Sequence, residues 1–435
     1  MQKEKKILIV AIVLGVGLFF TLIHFYGYMN TWHLWNIPAY KTPFLDLRLI
    51  TGGAESYAAG FDPAIKNPFD PTHRLFNYPK VWYLILASGI NQSWTAPIAF
   101  VMIGLLLLSV VLFPGKLTWL STSLLLFALC SAAVMLEFER ANVDGLFFIL
   151  MTVGLLLLDV SVIVSFMVFL ISIVFKIFPV FGLAYLLDTG NKSSLKYSLL
   201  SILFTVMYFA VTLKRMIFIF NNTEKEAYLA YGVSVLPDYL NRLVAVNEVK
   251  NTSAFLYGII YFMNDLAVRF PYITYLIALI IIVLFSLFGL THRSEFSNLD
   301  LKNLRAFWIG AGIYVGTFLL GNNWDYRLIF LLFTIPQLGD WATGKDKQIA
   351  NISRTVLVLL FLALWYLVIN ATMAHFLPLG NYISTVLDQF VDWALFAGLI
   401  YLFSFSMPRW LVDNCVAFVN RMSALGSRIK NRLAQ

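Results

Sequence analysis

The chain has 435 residues, 60% of them hydrophobic and only 12% charged, with 39 Phe and a formal net charge of +8. Soluble domains average about 25% charged residues, so this composition excludes a large water-soluble body. The basic residues concentrate in short segments between apolar runs. That is the positive-inside pattern of membrane proteins and not a stripe for nucleic acid.

A bilayer crossing needs roughly 20 apolar residues. The first run, 7–28, follows the basic head MQKEKK. It is longer than a signal-peptide core and no small-residue cleavage site follows it, so it is expected to be an uncleaved first span with its basic end in the cytoplasm. Residues 29–94 form a first outer loop rich in Pro, Gly, Asp and aromatics. Trp32 and Trp35 suit an interfacial belt. Residues 81–90 are apolar but too short to cross, which predicts a juxtamembrane or re-entrant helix on the outer face.

Central spans occupy 95–220, near 95–113, 117–136, 144–158, 160–175, 178–187 and 195–213. The 178–187 segment begins beside Pro179 and reads as half of a broken helix. Residues 221–271 form a second outer loop. C-terminal spans fill 272–407, near 272–290, 305–320, 326–341, 355–374 and 391–406, and 408–435 is a basic cytoplasmic tail. The expectation is one all-α integral membrane domain, a polytopic bundle of about twelve transmembrane helices in the inner or plasma membrane. Both termini then face the cytoplasm. The cytoplasmic loops are short and hold no phosphate-cradling Gly motif, so no nucleotide-binding domain fits there. Cys130, read as mid-helix, and Cys415 in the tail fall at different depths, which argues against a disulfide. No Cys or His spacing suits a metal.

Charges in or beside a membrane are costly, which makes each a functional candidate. Four clusters fall on the outer side. In FLDLRLITGGAESYAAGFDP, Asp46 lies just beyond the first span and is the candidate general base. The competing reading makes it the N-cap of a helix starting at Leu47. Asp62 and Asp70, each in Phe-Asp-Pro, read as turn residues. In FNYPKVWYLI, Tyr78 and Trp82 are sugar or acceptor candidates; Trp82 and Tyr83 can stack on a sugar face, although anchoring at the headgroups is the favoured reading for that pair. EFERANVDG, residues 137–145, is a dense polar knot. Arg140 suits a phosphate, while Glu139, Asn142 and Asp144 suit sugar or acceptor hydroxyls. The competing reading has Glu139 and Arg140 neutralising each other in a solvated loop. Lys176 in FKIFP and Arg327 in GNNWDYRLIF are cations at helix ends and candidates for a lipid phosphate. Asp325 is placed beside the sugar, with pairing to Arg327 as its plainer role. His375, at a helix end, reads as structural.

The order of these motifs resembles glycosyltransferase family 87, the polyprenyl-phosphate-sugar-dependent mannosyltransferases of the GT-C superfamily. An acid follows the first span. Tyr78-Pro79 precedes a juxtamembrane helix, then come Glu139-Arg140-Ala141-Asn142, Lys176 with Pro179, and Asp325-Tyr326-Arg327. The likeness spans residues 7–340. Lys80 stands where that family has a second Pro, and Arg140-Ala141-Asn142 replaces its Gly-Gln/Asn-x-Asn. The resemblance implies a GT-C-like bundle and an inverting hexosyl transfer on the outer face, with Asp46 as base. It implies a polyprenyl-phosphate-linked sugar donor, a lipid or glycan acceptor and surrounding membrane lipids as partners, with no nucleic acid. No cofactor is required by this scheme; some GT-C enzymes use a divalent metal. A lipid or solute transporter, or a flippase, is the alternative class.

Overall fold

A computed structural model describes residues 2–187, 192–223, 225–226, 228–245, 254–292, 300–377, 379–408 and 410–413. Cys415, most of the basic tail, and the cores of the expected loops 188–194 and 291–304 lie outside the described residues.

The described chain is nearly all helical, apart from one pair of two-residue strands, Ala230–Tyr231 and Asn323–Trp324. Six helices are long and apolar enough to cross a bilayer: Lys3–Tyr26, Gln92–Val111, Lys196–Asn222, Ile273–Thr291, Lys347–Leu364 and Gly380–Phe405. A seventh arises if Trp119–Leu129 and Ala132–Arg140, bent by 51°, count as one span. The architecture is that of a multi-pass membrane protein. Asp144–Leu158, Val162–Phe175 and Phe178–Leu187 are apolar but shorter.

Several expected bounds move. The first helix runs Lys3–Tyr26 and ends where Gly27 adopts a φ of +78°, which favours glycine. The expected 81–90 helix is a short 3₁₀ turn, Lys80–Trp82, followed by Tyr83–Leu86. The span expected near 195–213 extends through Lys192–Asn222. The 355–374 segment is two helices, Lys347–Leu364 and Tyr366–Phe376, and the 391–406 segment is the end of the longer Gly380–Phe405 helix. Cys130 is an exposed C-cap and not mid-helix.

Burial sorts the helices. Lys196–Asn222 holds an apolar 18-residue stretch with none of its residues buried in the protein, and Lys3–Tyr26 and Ile273–Thr291 are nearly as bare. In water such faces would be aggregation sites; in hydrocarbon they are at rest. The opposite case is Leu301–Leu319, buried along most of its length. Two 3₁₀ segments flank it, Phe178–Leu187 and Asp325–Thr334. Its glycines let them approach. A Cβ at Gly312 or Gly316 would fall 2.4 Å from the Phe181 carbonyl oxygen or 2.0 Å from the Phe181 ring, and one at Gly310 would fall 2.6 Å from the Phe330 carbonyl oxygen. Small residues at helix contacts permit this close packing. The sequence thus pins two broken segments to one central helix; Lys176 lies two residues before the first and Arg327 in the opening turn of the second.

Polar segments gather into two groups. In one, Lys5 donates to the Phe113 carbonyl, the Lys116 N–H to Asp300, and Asn303 to Asp340. The other joins the 36–46 turn, the 67–78 loop, the 139–144 junction, Lys176 and the 323–327 segment, and it holds the candidate site.

Candidate functional site

Asp46 lies in the first turn of Leu45–Ala58, one residue past its start. Phe44, in the left-handed region, occupies the N-cap position and the Asp46 side chain makes no capping bond. The capping role is therefore corrected: the carboxylate points to other partners. Its Oδ1 accepts from Arg74 Nη1 at 2.9 Å and its Oδ2 from Asn142 Nδ2 at 2.8 Å. The side chain keeps 17% exposure, enough to be reached from outside.

Arg74 is held rigidly. Asp70, buried, takes the Arg74 Nε and Nη2 at 3.3 and 3.1 Å, along with the Thr72 and Arg74 backbone N–H groups. The same guanidinium donates to the Leu45 carbonyl at 2.6 Å. Burial opposes its charge, but Asp46 and Asp70 outweigh that and hold Arg74 protonated above its ordinary range. Asp70 is the expected turn residue, and it also aims Arg74. Asp62 is a turn residue too: its carboxylate accepts from the Ala64 N–H and from Tyr83 Oη. Burial and Asp62 push the Tyr83 phenol up to about 12.

The 137–145 knot is not a solvated loop, which corrects that part of the competing reading, while its Glu139–Arg140 pair is formed. Glu137, Glu139 and Arg140 fall at the end of Ala132–Arg140, Ala141 turns the chain with a φ of 45°, and Asp144 opens the next helix. All are buried, as is Asn142. Asp144 receives Lys176 Nζ on one oxygen and Arg327 Nε, at 2.8 Å, on the other. Asn142 Oδ1 caps the Asp144 N–H at 3.1 Å and lies 3.5 Å from Lys176 Nζ. Arg327 also donates to Asn323 Oδ1, whose amide is braced on the Thr317 carbonyl. Arg327 therefore pairs with Asp144, not with Asp325 as the plainer reading had it. Asp325 is buried, and its backbone N–H donates to the Leu229 carbonyl.

These contacts form one chain: Arg74, Asp46, Asn142, Lys176, Asp144, Arg327. Two cations share the Asp144 carboxylate, which leaves that end able to take a further anion. Tyr78 lies against it, its ring 5.7 Å from Lys176 Nζ. Trp82 is buried, which corrects the headgroup-anchor reading. Its indole N–H donates to the Phe175 carbonyl at 2.8 Å, the residue just before Lys176. It packs against Tyr78 with ring centroids 5.1 Å apart and the planes tilted by 47°.

Arg140 makes a separate set of contacts. It pairs with Glu139 at 3.1 Å, donates to the Pro38 carbonyl and covers the Tyr40 ring. The backbone ties this group to the start of the Asp46 helix, since the Phe44 N–H donates to the Glu139 carbonyl at 3.2 Å. Glu137, buried, accepts from the Gly145 N–H at 2.9 Å and so fixes the turn that carries Asn142 and Asp144.

Sequence reasoning missed Arg74 and Glu137. The signal for Arg74 was present in Asp70-Pro-Thr-His-Arg74, an acid that starts a turn with a base four residues later. Glu137 had no signal beyond its place in the knot. Among the described residues no group of three or more His, Cys, Asp and Glu side chains is arranged to hold a metal ion. Compared with family models, curated proteins and solved structures, the chain gives no significant match to any of them.

Proposed function

We propose that the protein is a membrane glycosyltransferase of the GT-C kind, resembling family 87. On this reading it moves a mannose-like hexose from a polyprenyl-phosphate sugar to a hydroxyl of a lipid or glycan acceptor, with inversion. The bundle then has about twelve crossings once its shorter and broken helices are counted, with both termini in the cytoplasm and the site on the outer face. The observation that carries the reading is the unbroken chain from Asp46 through Asn142 to Lys176 and Arg327.

The acceptor hydroxyl gives its proton to Asp46 as its oxygen attacks the anomeric carbon. The bond from that carbon to the phosphate oxygen breaks on the opposite face, and the electron pair leaves with the lipid phosphate. Lys176 and Arg327 neutralise the charge on that leaving oxygen. Arg74 and Asn142 keep Asp46 aimed. A positioned base supplies about 10²–10⁴-fold in rate, and preorganised cations about 10²–10³-fold. Because the leaving phosphate is already a stable anion, no acid is needed opposite the base.

The test is incubation of the detergent-purified protein with a panel of polyprenyl-phosphate sugars. Transfer or slow hydrolysis of one donor is expected, and Asp46→Asn removes it while folding is kept. An Asp46→Asn protein as active as the parent would overturn the role of Asp46.

One observation favours the transporter alternative. Asp388 and Asp392 are buried one turn apart on Gly380–Phe405, a helix long enough to span, and the Tyr314 hydroxyl lies 3.3 Å from Asp392 Oδ1. Intramembrane acids commonly serve ion pathways. Solute or lipid movement across reconstituted vesicles, abolished by Asp392→Asn and with no sugar product formed, would select that class.

A further inference from the structure

A cavity of about 610 Å³ lies where the 36–38 turn meets Glu226, Tyr228 and Leu229, Val235–Ala245 and the Tyr366–Phe376 and Gly380–Phe405 helices. Its volume is within the roughly 300–1,000 Å³ of small-molecule sites. Much of this wall lies beyond residue 340, outside the motifs that carry the family resemblance.

The lining has a definite chemistry. Asn36, Asn370 and Asn381 contribute carboxamides. Asn36 donates its amide N–H to the Leu367 carbonyl at 3.0 Å, and Asn370 donates to Ser384 Oγ at 2.6 Å. Both amides are thus braced by the wall with their carbonyl oxygens left to accept. Asn381 lies exposed on the rim. Tyr228, Tyr366 and Tyr382 add ring faces and phenols, and the Tyr366 hydroxyl is fixed by Thr385 Oγ1 at 2.9 Å.

Charge in the cavity is balanced. Arg242 lies 3.6 Å from Glu226 Oε1 and packs over the Tyr228 ring. An anion would have to compete with Glu226 for its one cation. Fixed amide acceptors among aromatic faces instead suit a neutral ligand with many hydroxyls and apolar CH faces.

The cavity and the candidate site share a wall. Pro38 lines the cavity, and its carbonyl accepts from Arg140 Nη2 at 3.1 Å. Leu229 lines it too, and its carbonyl accepts from the N–H of Asp325, two residues before Arg327.

We infer that this cavity binds a neutral carbohydrate, the sugar portion of a glycan acceptor. That the sugar is the acceptor rests on the transferase reading; that the cavity binds sugar does not. It also narrows the acceptor from any lipid hydroxyl to a glycan.

The experiment uses the full chain in a detergent without sugar headgroups and with no donor added. Mannotriose and maltotriose are titrated by saturation-transfer NMR and calorimetry. Saturable binding of at least one is expected. Asn381→Ala, on the exposed rim, and Asn370→Ala are each expected to weaken it about tenfold. No binding of either sugar, or binding unchanged in both Asn variants, overturns the inference. So does inorganic phosphate binding that Arg242→Ala abolishes, because the cavity is then an anion site. If sugars bind as expected but no donor is ever consumed, the transferase reading fails and the cavity assignment stands. If transfer proceeds and the Asn variants change neither sugar binding nor acceptor KM, the cavity assignment alone fails.

Discussion

Asn142 bonds to Asp46 at 2.8 Å through its amide nitrogen while its amide oxygen faces Lys176. One planar side chain therefore sets the spacing between the proposed base and the proposed leaving-group cations. An amide is suited to this because it donates at one end and accepts at the other. A carboxylate in its place would repel Asp46, and an alkyl group would leave both ends unheld.

Asn142→Ala is accordingly expected to lower kcat with the polyprenyl-phosphate donor. A hydrogen bond to a charged group contributes about 1.5–3 kcal/mol, so the loss is on the order of ten- to a hundredfold. Asn142→Asp should lose more than Asn142→Ala, because it adds a second negative charge beside Asp46. The measurement is single-turnover sugar transfer for both variants. A reversed order would remove Asn142 from this bridging role.

Arg74 joins stability to the site. Its partner Asp70 has no exposed side-chain surface. Removing the guanidinium in Arg74→Met leaves that carboxylate buried with only neutral donors, at a cost of about 3–5 kcal/mol. Adding Asp70→Asn should restore much of the loss in thermal unfolding while transfer stays low, since Asp46 is still without its guide. Equal melting of the single and double variants would show that the Asp70–Arg74 pair is not what holds the 67–78 loop.

The apolar runs were legible because lipid-facing helices announce themselves by length and composition alone. Lys3–Tyr26 and Ile273–Thr291 are cases where little of the chain's own packing intervenes. The broken segments were only partly legible. Pro179 marked one of them, but nothing local marks Asp325–Thr334, which packs closely on Gly310 of a helix earlier in the chain. The same distinction holds at the site. Asp46, Asn142, Asp144, Lys176 and Arg327 stood out as polar groups among apolar ones. Which cation meets which acid did not, since the Arg327–Asp144 pair joins residues 183 positions apart. The carbohydrate-suited cavity was illegible for the same reason: its three amides come from the first polar segment and two late helices.

Trp82 offers a test of positioning without contact. Trp82→Phe keeps the ring packed between Tyr78 and Phe175 but removes the N–H that holds the Phe175 carbonyl. One neutral hydrogen bond contributes about 0.5–1.5 kcal/mol. Lys176 follows directly, so the loosened helix end should raise the donor KM about two- to tenfold and leave the acceptor KM alone. A parallel rise in both would point to a general loss of folding instead.

The packing of the broken helix on the central one supports both cations, and two glycines test it against each other. Gly316→Ala places a methyl 2.0 Å from the Phe181 ring, which is on the segment that follows Lys176. The half-buried ring must shift to make room, so overpacking of about 1–3 kcal/mol is expected. Gly258→Ala, in Ala254–Arg269, meets nothing within 4 Å. It should gain about 0.5–1 kcal/mol from helix propensity. Unfolding followed by intrinsic fluorescence should therefore shift in opposite directions for the two changes, and only Gly316→Ala should also lose transfer. Adding Phe181→Ala to Gly316→Ala removes the clash and should recover part of the stability. If it recovers none, the fault lies in the central helix itself and not in its contact with the Phe178–Leu187 segment.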